Sequence, residues 1–563
     1  MTRGVKQIPL SRRTILRGAI LGGGALALPA WAQRVSTGLV APSLTSVSGT
    51  DIALDIAHQM VKVDGRPAHA IAVNGSVPGP LIRLREGQNV RLTVRNHLDE
   101  DSSIHWHGLL LPAQFDGVPG ISFPGIKPRS QFVYEFPLLQ AGTYWYHSHS
   151  GLQEMMGHYG PLIIDPAGPD PVAYDREHVL VLSDHSPEHP HAVFRNLKLQ
   201  PGYYNDAKQT LDGLAAGKDQ PAGERLQWAK MRMDPTDISD VTAATFTYVI
   251  NGYGPADNWT ALFKPGERVR LRIINAAAMT IFNLRIPGLA LTVVQADGQD
   301  VAPVTVDELQ IAVAETYDLI VTPTADAAFT IVAEAIDRSG MARATLAPRV
   351  GMVAAVPPLR ARPLSTMADM GMGAMDHGGM DHDMSMRNGA NAPQVKLGPG
   401  VQTIAPMPVD RTGEPGQGLE NVGHKVLTYR DLRALSVNPD VRVPSRSLEL
   451  HLTGNMERYM WSFDGVALSE APAPIPFIEG ERVRVTLIND TMMNHPIHLH
   501  GHFFELVTGH GDHAPRKHTV NVMPGGLVSF DLTADAPGDW AMHCHMLLHM
   551  HAGMMRVVTV RPA

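Results

Sequence analysis

The sequence predicts an all-β protein built from three copies of one domain, and three observations carry this. The 52 glycines and 44 prolines are spread along 563 residues, with short segments of alternating polarity between them. One segment recurs: GQNVRLTVRN at 87–96, GERVRLRIIN at 266–275, and GERVRVTLIND from 480, which reaches Asn489 at the same offset. The copies lie 179 and 214 residues apart, and each alternates apolar and polar residues as a strand with one buried face does.

Counting from the asparagine aligns the copies. Nine residues past Asn96 is His105, opening HWHG; nine past Asn489 is His498, opening HLHG; nine past Asn275 is Leu284. Five residues past Gly142 is His147 in YHSHSG, and five past Gly538 is His543 in MHCHML. The matching stretch of the second copy, FTIVAEA from Phe329, has no histidine, so that copy is expected to be a structural spacer.

His-x-His on a strand sends both imidazoles to one face, roughly 6–7 Å apart along the backbone, with the middle residue facing away. Four such pairs occur: His105/His107, His147/His149, His498/His500 and His543/His545. One pair alone is more often surface chemistry. Eight histidines at matched positions exceed what one ion can use and suit two or three ions between the first and third domains.

Cys544 is the only cysteine, so an internal disulfide is excluded. It lies between His543 and His545 and therefore faces away from their cluster, where its thiolate can hold a separate ion. His495, His549 and Met554 lie near it in sequence, and a His₂Cys set with a weak methionine ligand is the blue-copper pattern. The first copy has Ser102, Ser148, Gln153 and His158 at the matching positions, so the pattern is absent there as a unit.

The start of the chain indicates export. Arg12 and Arg13 precede an apolar run at 19–28 and a small-x-small site, Ala30-Trp31-Ala32, which together resemble a bacterial twin-arginine signal peptide spanning 1–32. The apolar run is too short for a permanent membrane span. The partner expected there is the twin-arginine export machinery, and the expected location is the periplasm. Without 1–32, 42 basic residues face 55 acidic ones, which argues against a nucleic-acid partner.

HWHG, HSH, HPIHLHG and HCHMLLHMHAGM resemble the four copper-binding motifs of the multicopper oxidases. The resemblance implies three cupredoxin-like Greek-key β-barrels, expected over 45–168, 175–355 (without copper ligands) and 415–563 (with type 1 copper); composition places a Met-rich loop over 360–400 between the last two. It implies four copper ions, O₂ as the electron acceptor, and ligands residue by residue. His495, Cys544, His549 and Met554 would bind type 1 copper, and His105 and His498 type 2 copper. His107, His147 and His545 would bind one type 3 copper, and His149, His500 and His543 the other. Asp116, in QFDGVPG, stands where such enzymes often carry an acid beside the type 2 site, and it equally fits a turn aspartate before glycine. A second acid often follows the position of His549; here it is Met550.

The stretch MADMGMGAMDHGGMDHDMSM at 367–386 contains seven methionines, and its composition predicts a mobile loop without a packed core. Met367, Met370, Met372, Met375, Met380, Met384 and Met386, with His377 and His382, form a soft-ligand set suited to Cu(I) capture. Asp490 and Met493, near His495, are candidates for guiding Cu(I) onward, and Met493 equally fits the core. With this segment, the arginine pair and NMERYMWSFDG at 455–465, the chain resembles the CopA-type copper-resistance oxidases of Gram-negative bacteria. That implies a periplasmic oxidase turning Cu(I) into Cu(II). Laccase-like oxidation of phenols and copper sequestration by the Met-rich segment stay open as alternatives. His185, His189, His191, His510 and His513 read as surface residues.

The arginine pair gives a direct test. Replacing Arg12 and Arg13 with lysine should trap the protein in the cytoplasm, since a receptor reads the pair. Undiminished periplasmic protein, in cells left with only the general secretion route, would refute the export reading.

Overall fold

The computed structural model describes residues 44–372 and 386–563. The export signal expected over 1–32 lies outside the described residues, as do Met375, His377, Met380, His382 and Met384. Among the described residues the strands form six sheets, two in each third of the chain. No helix there is long and apolar enough to cross a membrane.

The three recurring segments are the strands Asn89–Asn96, Val269–Asn275 and Arg482–Asn489. Each pairs parallel with an earlier strand, respectively Asp51–Val63, Arg176–His185 and Arg446–Asn455. Each pairs antiparallel with a later one, respectively Gln131–Pro137, Thr316–Val321 and Gly526–Thr533. The same mixed ladder three times over is the all-β, three-copy architecture expected from the sequence.

The asparagine that ends each segment is buried and works in the same way each time. Asn96 Nδ2 donates to the carbonyls of Glu100 and Ile126, Asn275 Nδ2 to those of Thr280 and Ile311, and Asn489 Nδ2 to those of Met493 and Val522. Its Oδ1 accepts from the backbone two residues on, at Leu98, Ala277 or Thr491. This corner fixes the path into the next strand. Register follows: His105 pairs with His147, Leu284 with Ala333, and His498 with His543. One position carries histidine in two copies and an aliphatic pair in the third.

Three features differ from the sequence reading. The second copy also contains the helices Pro190–Leu199, Leu211–Ala215 and Ala222–Met231. The first two are started by local caps, since the His189 side chain accepts from His191 N and the Thr210 side chain from Gly213 N. The short strand Val409–Asp410 joins the third copy's sheet beside Gly526–Thr533, ahead of the expected boundary at 415. Finally, the arginines of Val269–Asn275 are buried instead of facing water. Arg272 Nη1 donates to Thr143 Oγ1 of the first copy at 2.9 Å, and both Arg270 and Arg272 pair with Asp318. The polar face of this strand is an interface between copies.

Asn275 tests the corner where no metal chemistry interferes. Asn275→Ala leaves buried carbonyls and an N–H without partners, at a cost of roughly 1–3 kcal/mol. For a domain of this size that lowers the melting temperature by about 2–4 °C per kcal/mol in calorimetry. An unchanged transition would mean that the corner does not hold the loop.

Candidate metal centre

The strand His105–His107 pairs with Gly142–His147, and His495–Leu499 pairs with Gly538–Cys544. These two ladders face each other across the contact between the first and third copies. Trp106 points back into the first core, so His105 and His107 point to the contact. The ligand atoms fall into close groups: His105, His107 and His498; His107, His147 and His545; and His149, His500 and His543, each within 4.8 Å. His500 Nε2 and His543 Nε2 are 3.0 Å apart, and His149 Nε2 is 3.3 Å from His543 Nε2.

The ring nitrogens divide by direction. Most outward ones have partners: His498 Nδ1 donates to His518 O at 2.7 Å, His543 Nδ1 to Cys544 O at 2.9 Å, and His107 Nε2 lies 3.3 Å from Thr519 Oγ1, while neither nitrogen of His545 has one. Inward ones, including His105 Nε2, His107 Nδ1, His147 Nε2 and His498 Nε2, are buried and have none. Burial, then the neighbouring imidazoles, holds His107, His147, His149, His498, His500 and His545 well below the usual histidine range, and burial lowers His543 to about 4. Neutral rings turning bare lone pairs toward one another fit metal ions and no other common occupant.

Two carboxyls anchor the rings. Asp116 Oδ2 accepts from His500 Nδ1 at 2.9 Å, while Oδ1 lies 3.2 Å from His105 Nδ1. Its own carbonyl accepts from His105 Nδ1 at 2.7 Å. Asp116 thus touches two cluster histidines and also precedes a turn glycine. Gly117 has φ +86°, and a Cβ there would lie 1.9 Å from the Ile104 carbonyl oxygen. The second carboxyl, Glu154, escaped the sequence reading. Its Oε2 accepts from His147 Nδ1 at 2.7 Å, and burial raises its pKa well above the usual carboxylate range. It lies five residues past His149, a spacing with no periodic signal.

Cys544 faces the other side of its strand. Its Sγ is 3.5 Å from His495 Nδ1 and 3.7 Å from His549 Nδ1, and those two nitrogens are 3.2 Å apart. Burial pushes the thiol pKa well up, so a thiolate here needs a cation beside it. Met554 is fully buried. On the outer side, His495 Nε2 meets Thr491 Oγ1 at 2.8 Å and His549 Nε2 meets Asp240 Oδ2 at 2.6 Å. Asp240 comes from the second copy, which is thus more than a spacer. In the first copy the matching positions form a hydrogen-bond knot, with Ser102 Oγ and Ser148 Oγ both donating to Gln153 Oε1 at 2.8 and 2.9 Å.

The Met-rich segment packs at both ends, contrary to its composition. Met370 and Met372 are buried, and Met367 and Met386 partly so, in a cluster around Trp228 with Met231, Met233, Met456 and Met492. Methionine is apolar, and other parts of the chain supply it with apolar partners. Met493 instead lies in the main core. Asp490 is turned away from His495: it accepts from His451 Nδ1 at 2.7 Å and Ala405 N at 2.9 Å. Among the remaining histidines, His510 Nε2 donates to Arg430 O and His513 Nδ1 to Ala434 O.

Multicopper oxidase family models match residues 55–168, 203–351 and 442–563. The chain belongs to the multicopper oxidase family. It is similar to copper resistance protein A of Escherichia coli, at 48% identity over 98% of this chain and 99% of that protein. A copper resistance protein A homolog of Pseudomonas syringae pv. tomato is 49% identical, with the same shares covered. Multicopper oxidase MmcO of Mycobacterium tuberculosis is 31% identical over 97% of this chain and 95% of its own length. In fold the chain is similar to the laccase of Botrytis aclada (TM-score 0.62, 21% identity, covering 92% of this chain and 88% of that one). It is likewise similar to a multicopper oxidase from Campylobacter jejuni (TM-score 0.62, 19% identity, covering 93% and 95%).

As a CopA-type multicopper oxidase, the protein is an oxidoreductase that uses copper and O₂, and its barrels are cupredoxin-like. Asp116 gives the sharpest test of the oxidase's ring anchoring. Asp116→Ala frees His500 Nδ1, leaves His105 Nδ1 only the backbone carbonyl of residue 116, and should weaken copper retention about 10–100-fold. Copper content after dialysis against graded chelator reads this directly. Wild-type retention would remove Asp116 from the role.

Proposed function

We propose that this protein is a periplasmic cuprous oxidase serving copper resistance, with one copper at Cys544 and three in the histidine cluster. The fit of the residues supports the count. His495, Cys544 and His549, with Met554 adjoining, offer a two-imidazole, one-thiolate set, as type 1 copper takes. His105 and His498 would hold type 2 copper. His107, His147 and His545, then His149, His500 and His543, would hold the type 3 pair. Bound copper supplies one-electron chemistry, each ion cycling between Cu(I) and Cu(II), so four together match the four electrons that turn O₂ into two waters.

The chain's own residues do the rest. The Cys544 backbone joins the thiolate to His543 and His545, a one-residue covalent route between the two sites. Asp116 and Glu154 fix the ring planes and, among the described residues, stand as the two carboxyls touching cluster imidazoles, where Met550 offers none. Asp240 and Thr491 orient the rings of His549 and His495 from outside.

The substrate reading is carried by the thioether cluster. Eight methionines from four parts of the chain surround Trp228, and one of them, Met492, directly follows Thr491, which touches the His495 ring. Thioether sulfur is a soft ligand suited to Cu(I), and phenols have no need of it. The printed names of the near-full-length relatives, copper resistance protein A, support the physiological role.

O₂ uptake on adding Cu(I) tests the proposal, with a phenol as the second substrate. Cys544→Ser should abolish uptake with both substrates and remove the blue absorption; a persisting blue band would end the Cys544 assignment. Met370→Leu with Met492→Leu keeps apolar volume and removes two sulfurs. It should raise the KM for Cu(I) roughly tenfold, about 1.4 kcal/mol, and leave phenol oxidation unchanged. Equal losses for both substrates would mean fold damage, and no change would remove the cluster from substrate capture.

A further inference from the structure

The strands Asp51–Val63 and Arg66–Val73 of the first barrel form an antiparallel ladder whose outer part is exposed. Met60 stands directly opposite His69, and His58 is two residues before Met60, so the three side chains leave the same face. The His58 and His69 rings stack, with centroids 4.8 Å apart and planes 29° apart. Neither ring has a hydrogen-bond partner among the described residues. Met60 is 60% exposed, although a thioether chain gains nothing from lying in water. This group is separate from the cluster histidines, from Cys544 and from the methionines around Trp228.

We propose that His58, Met60 and His69 form an exposed copper(I) site, a satellite to the buried ones. The donors are two imidazoles and one thioether, a neutral, partly soft set that suits Cu(I) better than Zn(II), Mg(II) or Ca(II). The ladder fixes their spacing, because cross-strand neighbours on one face lie within reach of a shared ion. The stack holds the two rings 4.8 Å apart, on the face from which Met60 also projects. Exposure sets the function. An ion held here exchanges with solvent, so the site holds Cu(I) at the surface and does not react it. That physiological purpose rests on the cuprous reading above; the binding itself does not.

Silver(I) is the probe, since it shares the charge and sulfur preference of Cu(I) and does not reduce the resident coppers. Copper-loaded enzyme is titrated with silver(I) against a competing chelator. Wild type should bind one equivalent more than His69→Ala, and Met60→Leu should weaken that equivalent roughly tenfold or more. All three side chains are exposed, so the variants should melt as wild type does and keep their O₂ uptake with a phenol. Silver binding unchanged in both variants overturns the proposal. So does a result in which His69→Ala loses Cu(II) binding while Met60→Leu binds silver normally, since that describes two ordinary surface histidines. If wild type fails to oxidise Cu(I) and still binds the extra silver, the cuprous reading falls and this site stands.

Discussion

Eight imidazoles packed into one volume need tautomer and orientation set from outside. An unanchored ring would turn to find a hydrogen bond, and a protonated ring would repel its neighbours. A shell of acceptors does this for five of the eight rings. Backbone carbonyls of His518 and Cys544 take two rings, Asp116 takes two, and Glu154 takes one. Every other feature of the site follows from this shell. The turn at Gly117 sets Asp116, the corner at Asn489 sets the entry to His495, and strand alternation sends Cys544 to its own side.

The second barrel has no ligand set of its own, but it frames both sites. Asp240 takes the outer nitrogen of His549 and also accepts from the Tyr459 hydroxyl at 3.0 Å. Asp297 accepts from the backbone N–H groups of His518 and Thr519, the segment whose carbonyl anchors His498. Lys517, fully buried, bridges Asp297 and Glu315 at 3.0 and 3.1 Å. Burial opposes its charge, but the two carboxylates outweigh this and raise its pKa. A charged triad of this kind contributes little net stability, yet removing one member would leave a buried charge alone. Its value is positional: it fixes the second barrel against the third where the cluster needs a rigid wall.

Much of this was legible in the sequence because strand geometry has period two. Alternation located the three repeated strands, and the same rule separated Cys544 from His543 and His545. The asparagine served as a ruler for the copies before its hydrogen bonds were known. Where the chain leaves regular structure, the rule fails. Residues 490–494 precede the strand His495–Leu499, so side-chain direction there could not be read off spacing. Met493 went to the core and Met492 to the thioether cluster. Partners that arrive from distant sequence left no local mark: Asp240 lies 309 residues before His549. Composition also misled at the two ends of the methionine-rich segment, since they read as unpacked until the apolar surface elsewhere that receives them is known.

The histidine cluster draws its donors from the first and third copies, far apart in the sequence. The contact between Asp116 and His500 alone closes a span of 384 residues. An ion shared by both sides would therefore act as a clasp, making the three barrels a closed ring in place of a string of beads. Opening such a ring requires breaking several metal bonds together, with no gradual peeling from either end. A filled cluster would thus make unfolding slow as well as unfavourable, and would leave few loose ends for proteases to start from. On this view the coppers contribute to the lifetime of the molecule as well as to its chemistry, and the empty protein is the vulnerable form.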